Sequence, residues 1–240
     1  MTITMKSTQG FTLVEMAIVL AIVALVLGTG LTIISAQQYQ RKVEETRDRL
    51  SDAREALIGY AIVNGYLPCP ADPTIPGGSA NAGIERAHNA TGCDPNADAV
   101  QGDLPWATLG LPETDAWGHR FTYRVAAAFA ALSTPPVSLS TTGDIDVGTT
   151  AGTSDLASNM PAIVISHGAN GLGAYLPTGL QILPVPAAIT NEGENSDIDS
   201  FFVSHTLATT DEAGGYFDDQ LIWLSQYTLF NRMVQAEKLP

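Results

Sequence analysis

The hydrophobic pattern changes character twice along the chain. From Met16 to Ala36 no residue is charged, and apolar side chains dominate every face. From Gln37 to Val63 charges of both signs cover the surface. There Tyr39, Val43, Leu50, Ala53, Leu57 and Tyr60 recur at steps of three and four, with Thr46 filling the one gap. That spacing predicts a helix with a narrow apolar stripe. Beyond Asn64 the sequence is rich in Gly, Pro, Ser, Thr and Asn, with short strand-like runs.

A helix crossing a bilayer core needs roughly 20 apolar residues, and the first regime meets that requirement. Lys6 precedes the run and the acidic bulk of the chain follows it. The positive-inside rule then places the N-terminus in the cytoplasm and the remainder outside. A conventional signal peptide is cut after its apolar region. Here the distinctive small residue, Gly10, stands before the run instead.

No proline interrupts Phe11 to Val63, so the two regimes are predicted as one helix of about 80 Å at roughly 1.5 Å per residue. Charges of alternating sign favour pairs one turn apart, such as Glu45 with Arg49. The stripe predicts packing onto the chain's own head, with a coiled-coil partner surface as the alternative. Asn64-Gly65 and the prolines after it end the helix.

Beyond it, Arg120–Val125, Ala162–His167, Phe201–Thr206 and Gln220–Ser225 read as strands. Helices do not alternate with them, which favours an antiparallel sheet and an α+β head. Leu224–Lys238 reads as a short helix. The stretch from Ser133 to Asp155 reads as a long surface excursion.

Composition narrows the function. The formal net charge is −14, and up to Val63 the charges cancel, so the whole excess lies in the head. An acidic head repels phosphates, so no direct nucleic acid binding is expected. The cysteines are Cys69 and Cys93, both in turn-rich surroundings. A disulfide is the simplest reading and implies an oxidising compartment. Unpaired thiols are the alternative, and a zinc site with His88 lacks an evident fourth ligand.

The segment GFTLVEMAIVLAIVALVL, from Gly10, resembles the N-terminal signature of type IV pilins and the pseudopilins of type II secretion. A short basic leader ends in Gly10. Phe11 follows, then Glu15 at the fifth place of the chain that begins at Phe11, then the apolar helix. The resemblance implies cleavage between Gly10 and Phe11 by prepilin peptidase and N-methylation of Phe11. It also implies a helix that packs with other pilin subunits in a filament core. The expected division is a leader at 1–10, a transmembrane or filament-core helix at 11–36, its amphipathic continuation at 37–63 and a globular head at 64–240. The expected location is the bacterial inner membrane, single-pass with a periplasmic head, and afterwards a periplasmic pseudopilus or an extracellular pilus.

The segment DAWGHRFTYRV is similar to the pseudopilin pattern that marks the first strand of the sheet. ISHGANGLGA and NEGENSDID look like the strand-loop pieces that follow. In major pseudopilins such loops hold calcium, which makes Asp197, Asp199, Glu194 and Asn170 the candidate ligands. Asn170 stands where an aspartate is expected, and the insertion between the two pieces is longer. A second acidic pattern, Asp144, Asp146, Thr150 and Asp155, approximates EF-hand spacing. It lacks the glycine at the sixth place and any flanking helices.

A carboxylate within a membrane-spanning helix costs roughly 2.5–3.5 kcal/mol and usually has a partner. Cleavage after Gly10 creates one: the freed amine of Phe11, with an ordinary pKa of about 7.7–8. Pairing that amine with Glu15 of a neighbouring subunit compensates both charges and sets an axial offset. None of the common hydrolase, metalloprotease or phosphate-loop motifs occurs, so an enzyme is not expected. The expected role is a structural filament subunit. The alternatives are a minor or tip subunit that primes assembly or binds a surface ligand, and a membrane-anchored periplasmic binding protein.

Overall fold

The computed structural model describes residues 10–95, 100–132, 137–185, 187, 190–208 and 215–239; within the first helix it describes 26–35 by backbone alone. Lys6 and the rest of the leader before Gly10 lie outside the described residues. The chain divides into two compact units, Met1–Lys42 and Val43–Pro240. Helices combine with antiparallel pairing, so the fold is α+β with an N-terminal helix.

Helix α1 runs over Leu13–Asn64. Gly65 ends it at φ +86, donating its N–H to the Ala61 carbonyl at 2.8 Å. Only glycine takes such a left-handed conformation without penalty. Within the second unit, Thr46, Leu50, Ala53 and Leu57 of the predicted stripe are buried, and Ile58 and Ala61 join them. The stripe therefore packs into its own head and is not a coiled-coil surface. Beside the stripe Arg49 pairs with Glu45 as the charge pattern predicts, and it also donates to the Thr114 carbonyl at 2.6 Å.

After α1 come a short β1–β2 hairpin (His88–Asn89 and Gly92–Cys93), β3 (Gln101–Asp103), α2 (Trp106–Leu109), β4 (Thr122–Val125) and α3 (Ala127–Ala130). They are followed by β5 (Ile145–Gly148), β6 (Ala157–Met160), β7 (Ala162–Ser166), α4 (Asn191–Glu194), β8 (Phe201–Val203), β9 (Gln220–Leu224) and α5 (Gln226–Gln235). The central sheet has four strands in the order β3-β4-β7-β9, all antiparallel.

Strand β7 is buried along its whole length, which explains its unbroken apolar run. Its side chains alternate between two cores. Ala162 and Val164 join Leu50, Leu57, Tyr123, Val125, Leu224 and Phe230. Ile163 and Ile165 face Ile145, Val147, Met160 and Phe202. The head is thus layered: the second half of α1, the central sheet, and a three-stranded sheet ordered β6-β5-β8.

That second sheet departs from the sequence reading in two ways. Strand β5 lies inside the stretch read as a surface excursion, and Ile145 and Val147 are buried in the core; residues 133–136 of that stretch lie outside the described residues. The β5–β8 pair is also parallel, with Val147 opposite Phe202. Parallel neighbours need a long crossover, and the chain between Gly148 and Phe201 supplies it through β6, β7 and α4.

Arg120 is the electrostatic knot of the head. Its side chain is fully buried and pairs with Glu113 at 2.8 Å and Asp103 at 3.3 Å. It also donates to the carbonyls of Pro73 and Pro177, and its guanidinium stacks 4.5 Å from the Trp106 ring. Burial pushes the Asp103 carboxyl up to about 7, against the opposing pull of Arg120. Arg120→Met strands buried carboxyl and carbonyl oxygens, so the expected loss in chemical denaturation is about 3–5 kcal/mol. A loss below about 1 kcal/mol would match an exposed pair instead.

Candidate functional site

The first candidate site is the start of α1. Gly10, Phe11 and Thr12 precede the helix. The Thr12 N–H and hydroxyl both donate to Glu15 Oε2 at 2.8 Å. The Glu15 N–H donates back to the Thr12 hydroxyl at 3.2 Å. This is a capping box: the residue before the helix and the third residue within it satisfy each other's orphaned groups. The Thr12 carbonyl accepts from Met16 N–H at 3.2 Å and so closes the first helical turn.

The T-x-x-E spacing directly before an apolar run is the sequence signal for such a box. The sequence reading weighed Glu15 only against lipid and a neighbouring chain. Glu15 already has a partner within its own chain, and Thr12 is the functional residue that reading missed.

The side chains around this start lack cover in the isolated chain. Phe11 is 79% exposed and Leu13 87%, and Val14, Ile18, Leu20, Ile22 and Leu25 are exposed as well. Among the described residues no helix is long and apolar enough to cross a membrane. The later part of the predicted run, residues 26–35, lies outside the described side chains.

Cys69 and Cys93 form a disulfide with their Cα atoms 5.7 Å apart. It closes the segment that leaves α1 onto the β1–β2 hairpin, a constraint of about 3–4 kcal/mol in the chain-entropy model. His88, weighed as a zinc ligand, instead reaches Glu85 at 3.0 Å and the Ala130 carbonyl at 2.7 Å.

The acidic residues of the head sort into groups. Glu194, Asp197 and Asp199 lie close enough for their charges to act on one another. Burial first, then Asp199 and Glu194, push Asp197 up to about 6. Asp199 accepts the Phe201 N–H at 2.7 Å. Asn170, the fourth candidate ligand, instead donates to Glu192 at 2.9 and 3.1 Å. The EF-hand-like residues are spent separately. Asp146 accepts from the Asn159 N–H, Asp155 from Thr149, and Asp144 reaches Arg124.

A different trio gathers. Glu192, Asp218 and Asp219 are all buried, and each offers a carboxylate oxygen within 4.8 Å of the other two. Three segments meet there: α4, the loop after β7, and the chain entering β9. Asp218 Oδ2 accepts from the N–H groups of Ala169 and Asn170 and from the Tyr216 hydroxyl. Asp219 Oδ2 accepts from Asn195 Nδ2 at 2.8 Å. Gly168, at φ +58, lets the backbone pass: a Cβ there would sit 2.5 Å from the Asp218 carboxyl carbon.

Burial raises Glu192 to about 7. It also pushes Asp219 well above the carboxylate range, with Glu192 and Asp218 adding to the effect. His167 Nδ1 lies 3.9 Å from Asp219 Oδ1, and burial holds that imidazole down at about 4, in its neutral form. His167 and Asn195 also line a cavity of about 310 Å³ bounded by Asp103, Thr122 and Tyr175.

Residues 5–31 match the family model of the prokaryotic N-terminal methylation motif. This is the signature of the prepilin-type signal of type IV pilins and pseudopilins. The motif supports a protein of the type IV pilin-like or pseudopilin family. No curated protein matches the chain, and no solved structure does.

Thr12→Ala removes the hydroxyl that accepts the Glu15 N–H and donates to Glu15 Oε2, and leaves only the backbone N–H of residue 12 on that carboxylate. N-cap losses of this kind cost about 0.5–2 kcal/mol, so amide exchange at Glu15 and Met16 in micelles is expected to rise roughly 2- to 30-fold. Unchanged exchange would mean that the box does not hold the helix start.

Proposed function

We propose that the chain is a structural, non-catalytic subunit of a type IV pilus or a type II secretion pseudopilus. Prepilin peptidase cuts between Gly10 and Phe11, and the new Phe11 amine is methylated. Before assembly the apolar start of α1 sits in the bacterial inner membrane, with the N-terminus cytoplasmic and the head periplasmic. Afterwards the same surface packs against other pilin subunits. The observation that carries this reading is the apolar surface from Phe11 to Leu25, exposed on all sides and attached to a head with its own cores. A helix that is apolar all round calls for lipid or for other helices as cover.

The capping box refines the part Glu15 plays. Thr12 holds the carboxylate at the helix N-terminus, where Glu15 is exposed. The methylated amine of a neighbouring subunit reaches it there, and the ion pair offsets the burial of both charges. The cavity beside His167 favours a second reading, a minor or tip subunit that binds a ligand.

Two substitutions test the proposal. Gly10→Leu blocks processing, read as a protein that keeps its leader on N-terminal sequencing; mature Phe11 in that variant contradicts it. Glu15→Gln retains an acceptor for the capping box but loses the charge, whereas Glu15→Val loses both. Both variants are expected to insert in the membrane and to fail in assembly. Normal filaments from Glu15→Gln would reduce Glu15 to a helix cap.

A further inference from the structure

We propose that the cavity beside His167 receives a neutral sugar unit, as a free monosaccharide or as the end of a glycan. The inference rests on the ligand-binding reading of that cavity given above, and it names the class of ligand. The space of about 310 Å³ lies between β3, β4, the turn over residues 175–181 and the loop at 195–198. Ligand sites begin at about 300 Å³, so the occupant is one small molecule or one chain end.

The walls stand ready before any ligand arrives. Tyr175 and Gln181 bridge across a tight turn, in which the Leu176 N–H donates to the Leu180 carbonyl at 2.9 Å. The turn is tied down through the Pro177 carbonyl, which accepts from the Gly77 N–H at 2.6 Å and from buried Arg120 at 3.3 Å. Gly179, at φ +79, passes so close to Thr74 that a Cβ would stand 2.4 Å from its carbonyl oxygen. A wall fixed in this way loses little freedom on binding.

Charge excludes the ionic classes of ligand. Among the described residues that line the cavity there is no lysine or arginine, and burial keeps His167 neutral, so an anion finds no counter-charge. The lining carboxylate is that of Asp103, which Arg120 already pairs. Burial also pushes that carboxyl up to about 7, which weakens its hold on a second cation.

Neutral groups with spare hydrogen-bonding capacity remain. The Tyr175 hydroxyl makes no hydrogen bond to any described residue. The Thr122 hydroxyl shares one with His167 Nε2 at 2.9 Å. A hydroxyl has one donor and two acceptor positions, so Thr122 keeps others open. Gln181 Nε2 donates to the Gly173 carbonyl at 3.0 Å, which fixes the amide and leaves its oxygen as an acceptor. Two hydroxyls and an amide oxygen match a ligand that both donates and accepts through hydroxyls of its own. The lining side chains most open to solvent, Val185 and Ile198, are apolar. With the Tyr175 ring they cover the C–H face that a sugar ring also presents.

The test uses the full-length chain in a phosphocholine detergent, since glycoside detergents would compete. Amide chemical shifts are followed as methyl glycosides of glucose, galactose, mannose and N-acetylglucosamine are added, with sialic acid and glucosamine as charged counterparts. A neutral glycoside is expected to shift the Gly102, Thr122 and Gly173 amides saturably, and the charged sugars are not. Tyr175→Phe keeps the ring but loses the hydroxyl, and is expected to weaken that binding about 2- to 12-fold. Tyr227→Phe, at an exposed tyrosine of α5, leaves it unchanged. Binding to immobilised oligosaccharides that end in the same unit makes the source a glycan; binding of the free sugar alone makes it a soluble one. Sugar binding that shifts other amides, or that Tyr175→Phe leaves untouched, overturns the proposal. Preference for a charged sugar overturns it too, but leaves the ligand-binding reading of the cavity standing. No shift with any probe removes both, and the filament reading is decided separately by N-terminal sequencing.

Discussion

Leu50, Ala53, Leu57, Ile58 and Ala61 leave water together, in one cluster with Tyr123, Val125, Ala162 and Val164 of the central sheet. Each leucine buried in this way contributes about 1.5–3 kcal/mol. The head is built outward from that contact. The sheet's other face is then free to take the second sheet, and β7, covered on both sides, carries no polar position before Ser166. Arg120 and the Cys69–Cys93 bond fasten the loops that must leave and re-enter this stack. Because the head completes its cores with this part of α1, the residues from Phe11 to Leu25 are left for another environment.

The carboxylate at the start of that apolar segment is better explained by two uses than by one. In the single chain Glu15 is exposed and completes the first helical turn with Thr12. In the proposed filament the same group would face the amine that cleavage after Gly10 would create. The cap places the charge where such an amine would neutralise it. The substitution that separates these uses is therefore glutamine and not an apolar residue.

The elements that could be read from the sequence were those with a strong period. The α1 stripe, β4, β7, β8, β9 and α5 all coincide with apolar runs or three-four spacings. Strand β5 was hidden because IDVG is short and sits among Gly, Thr and Ser, although Ile145 and Val147 do alternate across Asp146. The role of Arg120 was invisible because its partners, from Pro73 to Pro177, come together only through the fold. Among the acids the sequence drew attention to the dense run around Asp197, where Asp199 and Glu194 act on its charge. The convergent group takes Asp218 and Asp219 from the entrance to β9; the antiparallel pairing of β7 with β9 brings them beside Asn170, and α4 adds Glu192. The T-x-x-E spacing at Thr12 is itself legible in the sequence as a capping signal.

The central claim is that this N-terminus is processed and then used in assembly. Mass spectrometry of the native protein isolated from its cell envelope tests it most directly. The account predicts an N-terminal peptide that begins at methylated Phe11, with Cys69 and Cys93 still joined. An intact chain that retains Met1 through Gly10, with an unmodified amine, would contradict it.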